Sequence, residues 1–188
     1  MTGHVVAVSG PPGAGKTSVA KYLAEKLDAP RVNYDQYEQM TTRTEAEIAD
    51  WLSRGAPIAE IPAPGLAEAV ADAKSAHEIV IYETHLGRAW PPTADLIDTS
   101  IYLDTPLDLA LSRNLRDFVH VWKERGGPVS RSADWFDGHL AAYESIIRPS
   151  LLMQIERVRP LADHIIDNAG PFEKACAAAL DLALINKG

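Results

Sequence analysis

The segment Gly10-Pro11-Pro12-Gly13-Ala14-Gly15-Lys16-Thr17 constrains this chain more than any other stretch. It satisfies G-x-x-x-x-G-K-[ST], in which glycines let the backbone curl until successive N–H groups converge, a geometry suited to phosphate oxygens. Its placement tightens the constraint. His4 to Ser9 (HVVAVS) is a short, nearly all-apolar run of the kind buried on both faces of a parallel sheet, and from Lys16 the apolar Val19, Ala20, Leu23 and Leu27 recur at helical spacing. The loop therefore leaves a buried strand and opens a helix, whose N-terminal dipole adds to the attraction for an anion. Gly10, Pro11, Pro12, Gly13, Ala14, Gly15, Lys16, Thr17 and Ser18 are the expected contacts of a bound nucleotide, with ATP and Mg²⁺ as the expected cofactors. Lys16 is expected to reach the β- and γ-phosphates, and the Thr17 hydroxyl to bind the metal ion.

The rest of the chain repeats the alternation. Arg31 to Tyr34, Glu78 to Tyr82, Ser100 to Leu103 and His164 to Asp167 read as further strands, separated by helical patterns. Thr44 with Glu47 three places later is a capping-box pattern opening a helix that runs to Gly55, and the Pro-rich stretch 56–65 reads as loop. Leu66 to Lys74 reads as helix. A long helix is expected from Pro106 to about Arg125, a second from about Ser132 to Val158 with a bend at Pro149, and a closing helix from Phe172 to Ile185. Parallel strands need helical crossovers, so the expected fold is a three-layer α/β domain with a five-stranded parallel sheet, residues 1–188 forming one unit.

Composition closes off several function classes. With 46% hydrophobic and 23% charged residues the chain reads as globular, and no segment approaches the roughly 20 apolar residues that span a bilayer. No Lys or Arg precedes the first apolar strand, so neither a secretory leader nor a transit peptide is expected, and a cytoplasmic location is. A net charge of −8 repels phosphate backbones, which makes nucleic acid a poor candidate partner. Cys176 cannot pair within the chain and sits on the apolar face of the last helix, as a small core residue would.

Strand ends supply the candidate chemistry, because the carboxyl ends of parallel strands line the ligand crevice. Asp35, following strand two, is aimed at the γ-phosphate, where a carboxylate can orient and deprotonate an attacking hydroxyl or share the metal, and Tyr37 could pack on the acceptor. Glu83, delivered by IVIY at the end of strand three, is suited to hold Mg²⁺ directly or through water. His85 and Arg88 follow within a turn and could face the acceptor. Between positions 113 and 131, Arg113, Arg116, Lys123, Arg125 and Arg131 outnumber Asp117 and Glu124, a basic patch suited to a transferring phosphoryl group.

With GPPGAGKTSVAKYLAEKL, Asp35, Glu83 and the run DTSIYLDTPLDLALSRNLRD, the chain resembles the uridine kinase-like group of P-loop kinases over most of its length. The resemblance implies a helical lid at about 113–131 that opens with Arg113 and Arg116 and continues through Arg125-Gly126. It also implies a strand leading into a base-contacting loop, which places Asn168 among the nucleotide contacts. The implied activity is transfer of a phosphoryl group to a hydroxyl of a small metabolite, a nucleoside first, with Lys16, Asp35, Arg113 and Arg116 catalytic and Asp35, Tyr37, Glu83, Arg88 and Arg125 meeting the acceptor. The acceptor segment departs from that group, since the Pro-rich stretch 56–65 stands where its pyrimidine frame belongs. A sugar, a vitamin precursor or a sugar nucleotide would serve the same parts. A protein that switches contacts on nucleotide binding is the rival of a different class, which would not require Asp35.

Overall fold

The computed structural model describes residues 3–126 and 129–185. Five strands, β1 (His4–Ser9), β2 (Arg31–Asn33), β3 (Ile79–Glu83), β4 (Thr99–Asp104) and β5 (His164–Asp167), form one parallel sheet in the order β2-β3-β1-β4-β5. The helices are α1 (Lys16–Leu27), α2 (Glu45–Ser53), α3 (Leu66–Ala76), α4 (Pro91–Ala94), α5 (Leu107–Arg125), α6 (Val129–Ala142), α7 (Arg148–Val158) and α8 (Phe172–Ile185). This is the expected three-layer α/β arrangement.

Both faces of the sheet are covered, and the period-two alternation of the strands sorts their side chains between two cores. Val5, Ala7, Val80 and Tyr82 pack with Trp51, Leu66 and Val70 on one face. Val6, Val8, Ile79 and Ile81 pack with Val19 and Leu23 of α1 and with Cys176, Ala179 and Ala183 of α8 on the other. Each fully buried Val, Leu or Ile contributes about 1.5–3 kcal/mol. After β1 the chain crosses to β2 and β3 on one side of the sheet, then returns past β1 to β4 and β5 on the other. The carboxyl end of β1 is therefore the switch point at which such sheets open a crevice.

The capping box forms as the sequence suggests, with the Thr44 N–H donating to Glu47 Oε2 at 2.8 Å and the Glu47 N–H to Thr44 Oγ1 at 3.3 Å. Two segments differ from expectation. The stretch read as loop, 56–65, buries Ala56, Ile58, Ile61 and Ala63 around a short turn at Ile58–Glu60. Its prolines prevent a helix or ladder but leave the apolar side chains free to pack, and Arg157 of α7 donates to the Ala56 carbonyl at 2.7 Å. The bend expected at Pro149 lies earlier, in a π-turn over Tyr143–Ile147 between α6 and α7. A proline ring crowds the carbonyl four residues before it, here that of Ser145, and the widened turn makes room for it. No described helix is long and apolar enough to cross a membrane.

Candidate active site

Gly10, Gly13 and Gly15 all hold positive φ (148°, 80° and 81°), so the loop after β1 curls as its sequence predicts. Gly13 carries a second constraint: a Cβ there would lie 1.9 Å from the Ala110 carbonyl oxygen, so only glycine lets the loop rest on α5. From behind, Asn168 fastens the loop to the end of β4. Its side-chain amide donates to the Ala14 carbonyl at 2.5 Å and to Thr105 Oγ1 at 3.1 Å, and its backbone N–H to the Asp104 carbonyl at 2.9 Å. Asn168 is buried. The side chain of Asn168, a residue expected in the loop that contacts the base, braces the phosphate loop and does not line the cavity.

Lys16 points into the crevice with Nζ donating to the loop's own Pro11 carbonyl at 3.1 Å. Burial lowers its pKa to about 8, against the opposing pull of Asp35 and Glu83. Thr17 Oγ1 donates to Glu83 Oε1, and the other oxygen of this fully buried carboxylate accepts from Arg31 Nη1 at 2.8 Å. The Arg31 contact is a feature sequence reading missed, though a basic residue opening β2 beside the strand that ends in Glu83 was the available signal. Among the described residues no cluster of three or more His, Cys, Asp or Glu is arranged to hold a metal ion. An ion at Thr17 and Glu83 would therefore have to share its shell with phosphate oxygens and water, the way Mg²⁺ is ordinarily held beside a nucleotide.

Asp35 sits in a turn, Tyr34–Gln36, that follows β2, its backbone N–H donating to the Asn33 side chain at 3.0 Å. His85, two residues beyond β3, places Nε2 at 3.1 Å from Asp35 Oδ1, and its ring meets Tyr34 edge-on at 5.8 Å. The hydrogen bond from His85 comes first among the causes that hold the Asp35 pKa below the usual carboxylate value, ahead of the His85 and Lys16 charges. Burial, then the Lys16 charge, push the His85 pKa down, so near neutral pH the imidazole is uncharged and its Nε2–H is the donor.

These groups share one cavity of about 700 Å³. The loop, Lys16, Thr17, Asp35, Glu83 and His85 line one part, and α2, the turn before it, segment 56–65 and α7 close the rest with mainly apolar side chains. Several expected residues lie elsewhere. Arg88 is committed to the carbonyls of Ile97 and Asp98 and to the Asp163 carboxylate, the last at 2.7 Å, so it ties together the turn before β4 and does not face the cavity. Arg113 Nη1 donates to the Asn168 carbonyl at 3.1 Å, and neither Arg113 nor Arg116 lines the cavity; α5 offers it Asn114, Asp117 and Phe118. Tyr34, not Tyr37, lines it, Tyr37 being half-buried against the core. The side chain of Arg125 lies outside the described residues.

Comparison with known proteins agrees with this fold. The family described as "ATPase family associated with various cellular activities (AAA)" matches residues 6–81, from β1 to β3. A uridine kinase of Shewanella frigidimarina is 25% identical over 198 residues, covering 88% of each chain. Among solved structures, a shikimate kinase from Acinetobacter baumannii in complex with shikimate superposes with a TM-score of 0.58 at 23% identity, covering 99% of this chain and 96% of its own. A sugar kinase from Janibacter superposes with a TM-score of 0.53 at 19% identity, covering 98% and 96%.

Proposed function

We propose that this chain, a protein of the P-loop small-molecule kinase type, transfers the γ-phosphoryl group of ATP to a hydroxyl of a small metabolite. The observation that carries the reading is the Asp35 carboxylate, which is held by His85 in the same cavity as Lys16 and the Thr17–Glu83 pair. A protein that only binds or hydrolyses nucleotide has no need of a fixed acid on that side of the phosphate loop.

The roles follow from placement. The loop N–H groups and Lys16 bind the phosphates, and Lys16 leaves the Pro11 carbonyl to do so. When bound, Mg²⁺ would neutralise charge on the transferring group, with Thr17 and Glu83 as its protein ligands. His85 donates Nε2–H to Asp35 Oδ1 and leaves Oδ2 for the acceptor hydroxyl. Asp35 orients that hydroxyl in line with the γ-phosphorus and takes its proton as the new P–O bond forms. A lowered pKa makes Asp35 a weak base, which suits a loose transition state in which the proton leaves late.

The uridine kinase relative makes nucleosides the first acceptors to assay. The test is ADP release by the full chain with ATP and Mg²⁺, alone and with added alcohols. Release that rises with an acceptor and vanishes in Lys16→Ala supports the kinase. Release that no added alcohol changes favours the nucleotide switch.

A further inference from the structure

The acceptor side of the cavity is the part that sequence, family and fold leave unassigned, and its wall has a definite chemical character. Met40, Ile48, Trp51, Ile61, Leu86 and Leu151 present apolar surface there. Several polar atoms that could have read a substrate are already engaged within the protein. The Trp51 indole N–H donates to the Pro57 carbonyl at 3.2 Å, so only the ring is offered to the cavity. Glu38 accepts from the Met40 and Thr41 N–H groups and from Thr41 Oγ1, the last at 2.7 Å, and Ser150 Oγ donates to the Ile146 carbonyl at 2.7 Å. Gln154 on this wall, and Tyr34, Asn114 and Asp117 elsewhere around the cavity, are the polar exceptions.

Charge selects in the same direction. Among the described residues lining the cavity, Lys16 is the one Lys or Arg, and it belongs to the phosphate loop. Asp35, Glu38, Glu83 and Asp117 also line it. A carboxylate or phosphate on the acceptor would meet those acids with no guanidinium to pair with. Extra hydroxyls, or the donor and acceptor edge of a nucleobase, would be desolvated without partners wherever they lie against the aliphatic part of the wall.

From this we infer that the acceptor is an uncharged alcohol with one reactive hydroxyl on a mainly apolar, ring-sized body, gripped by contact with Trp51 and the aliphatic side chains around it. The inference rests on the kinase reading and narrows its acceptor. The bond made joins the alcohol oxygen to the γ-phosphorus, the bond broken joins that phosphorus to the β,γ-bridging oxygen of ATP, and the alcohol proton passes to Asp35, so ADP and a phosphate monoester are the products.

The experiment measures acceptor-stimulated ADP release by the full chain with four classes of compound: aryl- and cycloalkyl-methanols, nucleosides, neutral sugars, and hydroxy acids such as shikimate and gluconate. The apolar alcohols are expected to have a kcat/KM at least about tenfold above every other class. Ile48→Arg, on the half-buried face of α2, should lower that value about tenfold and raise the value for hydroxy acids. A nucleoside, sugar or hydroxy acid as best acceptor of the wild type overturns the inference while the kinase reading stands. If no class stimulates release, both fall together.

Discussion

At the scale of single residues the site turns on two side chains whose neighbours set their protonation. His85 touches the reaction only through Asp35, so it is a positioning residue. His85→Ala should lower kcat about tenfold with little change in the KM for ATP, and His85→Gln, which keeps an N–H donor, should recover part of the loss. Equal losses in both variants, or a change confined to the KM for ATP, would contradict the role. Lys16, with a pKa of about 8 in the free site, makes a second prediction. Below that pH it is already charged, whereas at pH 9 it is mostly neutral and must regain a proton to face the triphosphate. ATP binding should then take up close to one proton at pH 9 and almost none at pH 7, read by calorimetry in buffers of different ionisation enthalpy. Lys16, Thr17, Asp35 and Glu83 were legible in the sequence because each is positioned by the loop or strand end it belongs to. The bonds made by Arg88 and Asn168 were not legible, because whether a turn residue faces a ligand or the protein depends on partners far along the chain, Asp163 for one and Ala14 for the other.

Among elements, the parallel strands and most helices could be read from periodicity and caps, and the closing helix matches its expected bounds of Phe172 and Ile185. Reading failed where geometry depends on packing. The buried turn in 56–65 and the π-turn at Tyr143–Ile147 carry no repeating pattern, yet these segments supply Ile61 and Ile147 to the cavity wall. The contact between the phosphate loop and α5 was equally invisible, and it is testable. Gly13→Ala must hold a positive φ at a cost of about 1–2 kcal/mol. It must also move α5 away from a Cβ that would lie 1.9 Å from the Ala110 carbonyl oxygen. A melting temperature lower by at least about 2 °C and a weakened ATP affinity are expected, and a variant that melts and binds like the parent would contradict the close packing.

For the molecule as a whole, the sheet order brings the ends of β1, β2 and β3 together, so that one cavity receives the phosphate loop, Asp35 and Glu83 from three separate stretches of sequence. Ligand at about 100 times its Kd should stabilise the folded chain by about 2.7 kcal/mol, raising the melting temperature by about 5–10 °C, and Lys16→Ala should remove most of that rise. The central claim is that Asp35 serves the acceptor and not the nucleotide. Asp35→Asn keeps the size of the side chain and removes its charge and basicity. The decisive measurement is kcat for acceptor-stimulated ADP release by this variant and by the parent, with ATP affinity determined alongside. The account predicts near-normal ATP binding and a kcat lower by about 10²- to 10⁴-fold, the range of a positioned general base. Undiminished turnover, or a loss explained wholly by weaker ATP binding, would contradict it.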